Sequence, residues 1–219
     1  MMHRLVRELL LQSRQWRIIV NASLFFFMIM VFFPLTLPAD TALLRHAFPG
    51  LIWIAVLFSF FLSAERLFQQ EEDDGVIEQW LVSPAPLHMT VRAKLSAHWI
   101  VNLLPMILFC PVVALLFGMK GQETMVLIAS LLCGTPTILT FCALAAAFST
   151  GIKQKGVFMA LIVLPLTLPV MILGSGTLTA AMQGRPITGE LALLLSMSLL
   201  ASLLLPFAIA GVIRVSVVD

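Results

Sequence analysis

The sequence predicts an all-α integral membrane protein. It has six transmembrane helices, an N-terminal amphipathic interfacial helix and a cytoplasmic coupling helix between helices two and three. Three observations carry this reading. First, 60% of the 219 residues are hydrophobic and only 11% are charged, against about 25% charged in soluble domains. With sixteen phenylalanines and a mean hydropathy of +1.05, too little polar surface is left to cover a globule in water. Second, six intervals free of Asp, Glu, Lys and Arg run over 18–39, 46–64, 95–119, 124–152, 156–184 and 191–213, and a spanning helix needs about 20 apolar residues. Third, the basic residues fall unevenly on the two sides that six spans define.

Residues 2–17, MHRLVRELLLQSRQWR, come first. Leu5, Leu9 and Trp16 share a helical face and Arg7 and Arg14 lie on another, which is the pattern of a basic helix lying on a membrane surface. A frayed, charged start to the first span is the plainer alternative. The segment is too polar and its following apolar run too long for a cleavable signal peptide. The spans are placed at 18–38, 46–64, 95–118, 124–150, 156–174 and 191–213. The fourth and fifth intervals hold 29 residues each, more than one span requires. The surplus of the fifth, GSGTLTAAMQG over 174–184, is small and polar and reads as an outer turn or a short re-entrant piece.

Six spans put both termini on one side. That side carries Arg4, Arg7, Arg14, Arg17, Arg66, Arg92, Lys94, Lys153, Lys155 and Arg214; the other carries Arg45, Lys120 and Arg185. The excess of Lys and Arg marks the cytoplasmic face, so both termini and the 65–94 loop are expected in the cytoplasm. The net charge of +2 is topological information and gives no sign of nucleic-acid binding.

The spans exclude several function classes. No charged residue sits at mid-depth, which argues against ion-coupled transporters and against a membrane protease, because no nucleophile–base–orienter set can be assembled. Cys110, Cys133 and Cys142 lie in apolar runs without a C-x-x-C and read as small buried apolar residues. The histidines are His3, His46, His88 and His98. They offer no pair of mid-depth imidazoles for haem, and His98 reads as an interfacial residue beside Trp99 that positions a helix end. No cofactor is expected to be bound directly. The absence of a G-x-x-x-x-G-K-[ST] motif means that any ATP is bound by another polypeptide. Pro105, Pro136, Pro165 and Pro169 are candidate hinges, since proline removes a backbone donor and kinks a helix; static packing kinks are the equal alternative.

The scarce carboxylates concentrate in the loop ERLFQQEEDDGVIEQWLVSPAPLHMTVRAK. Glu71, Glu72, Asp73 and Asp74 precede a short apolar stretch, where Asp73 and Asp74 favour a helix start by capping and by charge–dipole attraction. Gly75 permits a break. Val76, Ile77, Trp80 and Leu81 share one face, Glu78 belongs to the same short helix, and Pro84 and Pro86 stop it. A helix lying flat on lipid is one reading, but anionic headgroups repel its acids. The favoured reading is a docking helix for a cytoplasmic protein with a basic rim and an apolar cleft, with Trp80 as its anchor.

These residues carry a family resemblance. FPG at 48–50, ERLF at 65–68, DG at 74–75, EQ at 78–79, AK at 93–94, AHW at 97–99, GTPT at 134–137 and IVLPLTLPV at 162–170 occur in order over nearly the whole chain. The chain resembles permease subunits of ABC-2-type exporters and, more closely, the CcmB family of haem exporter proteins of bacterial cytochrome c maturation. The resemblance implies an inner-membrane complex with a CcmA-like ATPase subunit, CcmC-like and CcmD-like membrane subunits and a periplasmic CcmE-like chaperone, and with a second copy of the chain as a further candidate partner. It implies that ATP hydrolysis in the partner drives haem delivery to the chaperone and release of the loaded chaperone, with haem handled by the complex, chiefly the CcmC-like subunit. An ABC-2 permease for another lipophilic or glycan substrate and a non-transporting membrane scaffold are the rival readings.

Overall fold

A computed structural model describes residues 6–10, 12, 16–36, 41–84, 86–149 and 155–218. Helix α1 runs over Trp16–Thr36, α2 over Thr41–Ala64, α3 over Gln69–Asp73, α4 over Val76–Val82, α5 over Leu87–Leu116, α6 over Gly121–Phe148, α7 over Lys155–Met182 and α8 over Thr188–Val218. No strand occurs among the described residues. Five apolar stretches are long enough to cross a membrane: Leu43–Asp73, Leu87–Leu116, Gly121–Phe148, Gly156–Met182 and Thr188–Val215; Val20–Thr36 is a shorter apolar helix. Of the expected N-terminal helix, residues 6–10 and 12 are helical, and 1–5, 11 and 13–15 lie outside the described residues.

The helices form an antiparallel bundle around an inner pair. α2 and α6 are mostly buried, whereas α5, α7 and α8 turn most of their surface outward. α6 packs against α2, α5, α7 and α8, and α1 lies against α2 and α5. The outward surface is aliphatic: Leu108 and Leu115 on α5, Leu161 and Ile172 on α7, and Leu204 on α8 are all largely exposed. In water such a surface would aggregate; in a bilayer it faces hydrocarbon.

Inside the bundle, hydroxyls satisfy themselves on their own helix. Ser130 donates to the Leu127 carbonyl at 2.8 Å, Thr167 to Val163 at 2.8 Å and Thr177 to Leu173 at 2.7 Å. Back-bonding of this kind removes the cost of a polar side chain in an apolar interior.

Two expectations change. The surplus 174–184 is neither a turn nor a re-entrant piece as far as Met182, because α7 continues unbroken to that residue. Ser175 and Thr179 bond back to Ile172 and Ser175 carbonyls, so small polar residues extend the helix. Gly174 has a packing reason of its own. A Cβ there would lie 2.1 Å from two ring atoms of Trp53, and one at Gly134 would lie 2.5 Å from the same ring. The Trp53 indole on α2 is wholly buried and wedged between α6 and α7 at the two places where a side chain is missing. The second change is at α5. Its helix begins at Leu87, eight residues before the expected span, so Arg92 and Lys94 ride on its first turns. The helices also run without interruption through Pro105, Pro136, Pro165 and Pro169.

Candidate partner-docking site

Charge sorts to the two ends of the bundle. At one end Arg45 of α2 pairs with Glu123 of α6 at 2.6 Å, and the second Glu123 oxygen accepts from the Lys120 N–H at 2.9 Å. Near it, Arg45, His46 and Gln183 border a cavity of about 280 Å³. The opposite end carries the acidic segment, Arg7, Glu8, Arg92 and Lys94.

α3 and α4 form a tight helical hairpin at that end. α3 closes where the Asp74 N–H donates to the Gln70 carbonyl at 2.9 Å. Gly75 then adopts φ +63°, a left-handed conformation that glycine accepts without the Cβ penalty. The expectation that Asp73 and Asp74 cap α4 through their side chains is not met: the residue at the cap is Gly75, and no side chain bonds there. Asp74 instead terminates α3, and both aspartates are exposed. Ser83 is extended, as the residue before a proline prefers, and Pro86 leads into α5.

The apolar face of α4 is turned inward. Ile77 is buried, and Trp80 and Leu81 pack partly buried against the core. Ile77 is therefore spent on the hairpin's own attachment and is not presented to a partner. Trp80 keeps a partial surface, lining a cavity of about 270 Å³ with Arg7, Glu8, Gln79 and Thr90. The residues facing out are Asp73, Asp74, Glu78, Gln79 and Val82, the last 86% exposed. The hairpin thus shows the outside an acidic edge, not a hydrophobic one.

Lys94 anchors this arrangement. It is a buried cation whose Nζ pairs with Glu71 of α3 and lies 6.0 Å from the centre of the Trp80 ring. Its own carbonyl accepts a bond from Gln12 Nε2 at 3.3 Å. His98, one turn further along α5, sits 3.2 Å from Gln12 Oε1 through Nδ1 and 3.1 Å from Ser63 Oγ through Nε2. Because Gln12 Oε1 only accepts, Nδ1 carries the proton and donates to it, which leaves Nε2 as an acceptor that shares the Ser63 hydroxyl proton with the Phe60 carbonyl, 3.1 Å from Ser63 Oγ. Glu8 is also buried, which raises its carboxyl above the ordinary range, an effect that nearby Lys94 partly offsets.

Sequence reasoning placed His98 at an interface beside Trp99. It is instead a buried link between the N-terminal segment, α2 and α5. Gln12 and His98 are 86 residues apart, and no periodicity signals such a pair. Among the described residues no group of three or more His, Cys, Asp or Glu could hold a metal ion.

Comparison with known proteins bears on the whole chain. A family profile described as CcmB protein matches residues 1–216. "Heme exporter protein B" of Pseudomonas aeruginosa is 42% identical over 213 residues, covering 97% of this chain and 96% of that protein. The protein of the same name from Haemophilus influenzae is 40% identical over 96% of this chain and 95% of its own length. That of Escherichia coli is 38% identical over 96% of each. With five long apolar helices and a shorter sixth arranged as one bundle, this multi-pass helical membrane protein belongs to the CcmB protein family.

Proposed function

We propose that the chain is the membrane subunit of an ABC-type complex that serves haem export and cytochrome c maturation. It crosses the bacterial inner membrane six times, with α1 as the first span and both termini in the cytoplasm. Relatives named as heme exporters and the ten-to-three distribution of Lys and Arg support this reading. A separate CcmA-like ATPase docks on the α3–α4 hairpin. The complex also holds CcmC-like and CcmD-like subunits, and it serves a CcmE-like periplasmic chaperone.

The observation that carries the proposal is the hairpin's construction. Its outer edge offers Asp73, Asp74 and Glu78 to a basic partner, and its inner side is tied to α5 through Glu71 and Lys94. Charge brings the partner in. A push on the edge passes through the ion pair to α5 and through His98 and Ser63 to α2. Pro105, Pro136, Pro165 and Pro169 let the spans bend in response, because each lacks the N–H that would stiffen its turn. A chain without a nucleotide-cradling motif needs such a surface, since its energy arrives from another polypeptide.

The test is complementation of a deletion strain with the wild type and with Asp73→Asn/Asp74→Asn/Glu78→Gln. Restored c-type cytochromes with the wild type, and loss of both cytochromes and ATPase co-purification with the variant, are expected. Normal cytochromes in the deletion strain would reject the haem role, and full ATPase retention by the variant would reject the docking edge.

A further inference from the structure

We propose that the cleft between α5, α6 and α8 is a binding site for an anionic phospholipid of the cytoplasmic leaflet. The leaflet assignment rests on the orientation proposed above; the binding chemistry does not. The cleft has a volume of about 220 Å³. Arg92, Ser96 and Trp99 line it from α5, at i, i+4 and i+7 and so on one helical face. Arg92 and Trp99 are about 10 Å apart along the axis at 1.5 Å per residue, so the cleft runs from the charged end of the bundle into its apolar depth.

Three of its polar side chains, Ser96, Trp99 and Thr140, are already engaged. Ser96 donates to the Arg92 carbonyl at 2.9 Å. Trp99 Nε1 donates to Thr135 at 2.9 Å. Thr140 is bonded to the carbonyls of Pro136 and Thr137. Pro136 and Pro206 lack N–H groups and present ring carbons to the cleft. The one cation of its lining is the Arg92 guanidinium. Lys94 and Arg45 each have a carboxylate, but among the described residues none pairs with Arg92. One end of the cleft therefore offers a fork of N–H donors, and the rest is mostly hydrocarbon, with the Ser96 and Thr140 hydroxyls satisfied and the Ser202 hydroxyl beside them.

A phospholipid matches both ends at once. Arg recognises phosphate bidentately, and basic pockets between spans on the cytoplasmic side are suited to anionic headgroups. Arg92 lies five residues inside the start of α5, at headgroup depth. Beside it, His88 stacks on Phe207 with ring centres 4.4 Å apart and holds α5 against α8 at the mouth. Leu203 and Leu204 on α8 are exposed next to Ser202, so an acyl chain enters sideways from the bilayer.

The experiment uses the full purified chain in detergent. Dioleoyl phosphatidylglycerol and dioleoyl phosphatidylcholine are titrated separately, with bound lipid counted by native mass spectrometry and stability followed by thermal unfolding. Wild type should prefer the glycerol lipid and gain Tm from it. Arg92→Gln should weaken that binding five- to tenfold, roughly the effect of about 1 kcal/mol per cation at a membrane surface. Ser202→Leu, which fills the cleft and leaves Arg92 in place, should weaken both lipids, while Arg92→Lys keeps headgroup preference. Arg214→Gln, which removes an exposed cation elsewhere at the same end, should change nothing. Equal binding of the two lipids by wild type, or equal losses in Arg92→Gln and Arg214→Gln, would overturn the site. So would haem binding, read as a Soret band, that depends on Arg92 without lipid preference. None of these readouts involves the ATPase, so failure of the docking edge and failure of the lipid site are told apart.

Discussion

Removing the Lys94 ammonium should unlatch the hairpin from the bundle. Lys94 is buried, and the Glu71 side chain retains 17% of its exposure. Two unit charges about 4 Å apart at an effective dielectric of about 20 attract by about 4 kcal/mol. Breaking a buried pair from one side costs about 3–5 kcal/mol, because the survivor is left uncompensated. The residual exposure of Glu71 lets water repay part of this, so Lys94→Met should cost about 2–3 kcal/mol. Glu8, which also feels Lys94, adds to the loss. The assay is unfolding of the detergent-solubilised chain for Lys94→Met, Glu71→Gln and the double variant. The double variant should recover much of the loss, giving a coupling of about 1.5 kcal/mol or more. Lys94→Met within about 0.5 kcal/mol of wild type, or no coupling, would refute the latch.

Gly174→Ala should destabilise by about 1–3 kcal/mol or more through overpacking, because its Cβ would overlap the Trp53 ring; Trp53→Leu in the same chain should relieve part of the cost, and thermal unfolding reads both. Arg45→Gln leaves the buried Glu123 carboxylate with only the Lys120 N–H and should cost about 1–3 kcal/mol, seen as a lower Tm that Glu123→Gln partly restores. Glu8 has a folded pKa raised above its ordinary 4.5, so its contribution is fully present below that value and is lost as pH rises through the folded one. The Glu8 share of the stability should therefore fall as pH climbs above about 4.5, read as the difference between wild type and Glu8→Gln in a pH series of unfolding midpoints.

The helices were legible because a membrane span is written locally: long uncharged runs bounded by charge leave few alternatives. Their ends were less so. α5 starts at Leu87 because Pro86 sets its entry, while Arg92 and Lys94 mark where polar surroundings begin and do not mark where the helix does. The run 174–184 misled because glycine and serine signal turns in general, yet here Gly174 is needed by a tryptophan 121 residues earlier in the chain. The α3–α4 hairpin was legible from its acids, its glycine break and its apolar spacing. The spacing identified the right face of α4 but not its direction, since an amphipathic helix faces whatever apolar surface is nearest, and here that is its own bundle. The Gln12–His98–Ser63 link and the Arg45–Glu123 pair depend wholly on tertiary proximity.

The most direct measurement is photocrosslinking of the assembled complex from two positions. A photoreactive residue at Val82, exposed on the hairpin's outer edge, should crosslink the ATPase subunit, and one at Gln183, exposed at the opposite end of the bundle, should not. Adducts to the ATPase from 183, or none from 82 in a complex that still hydrolyses ATP, would contradict the docking edge.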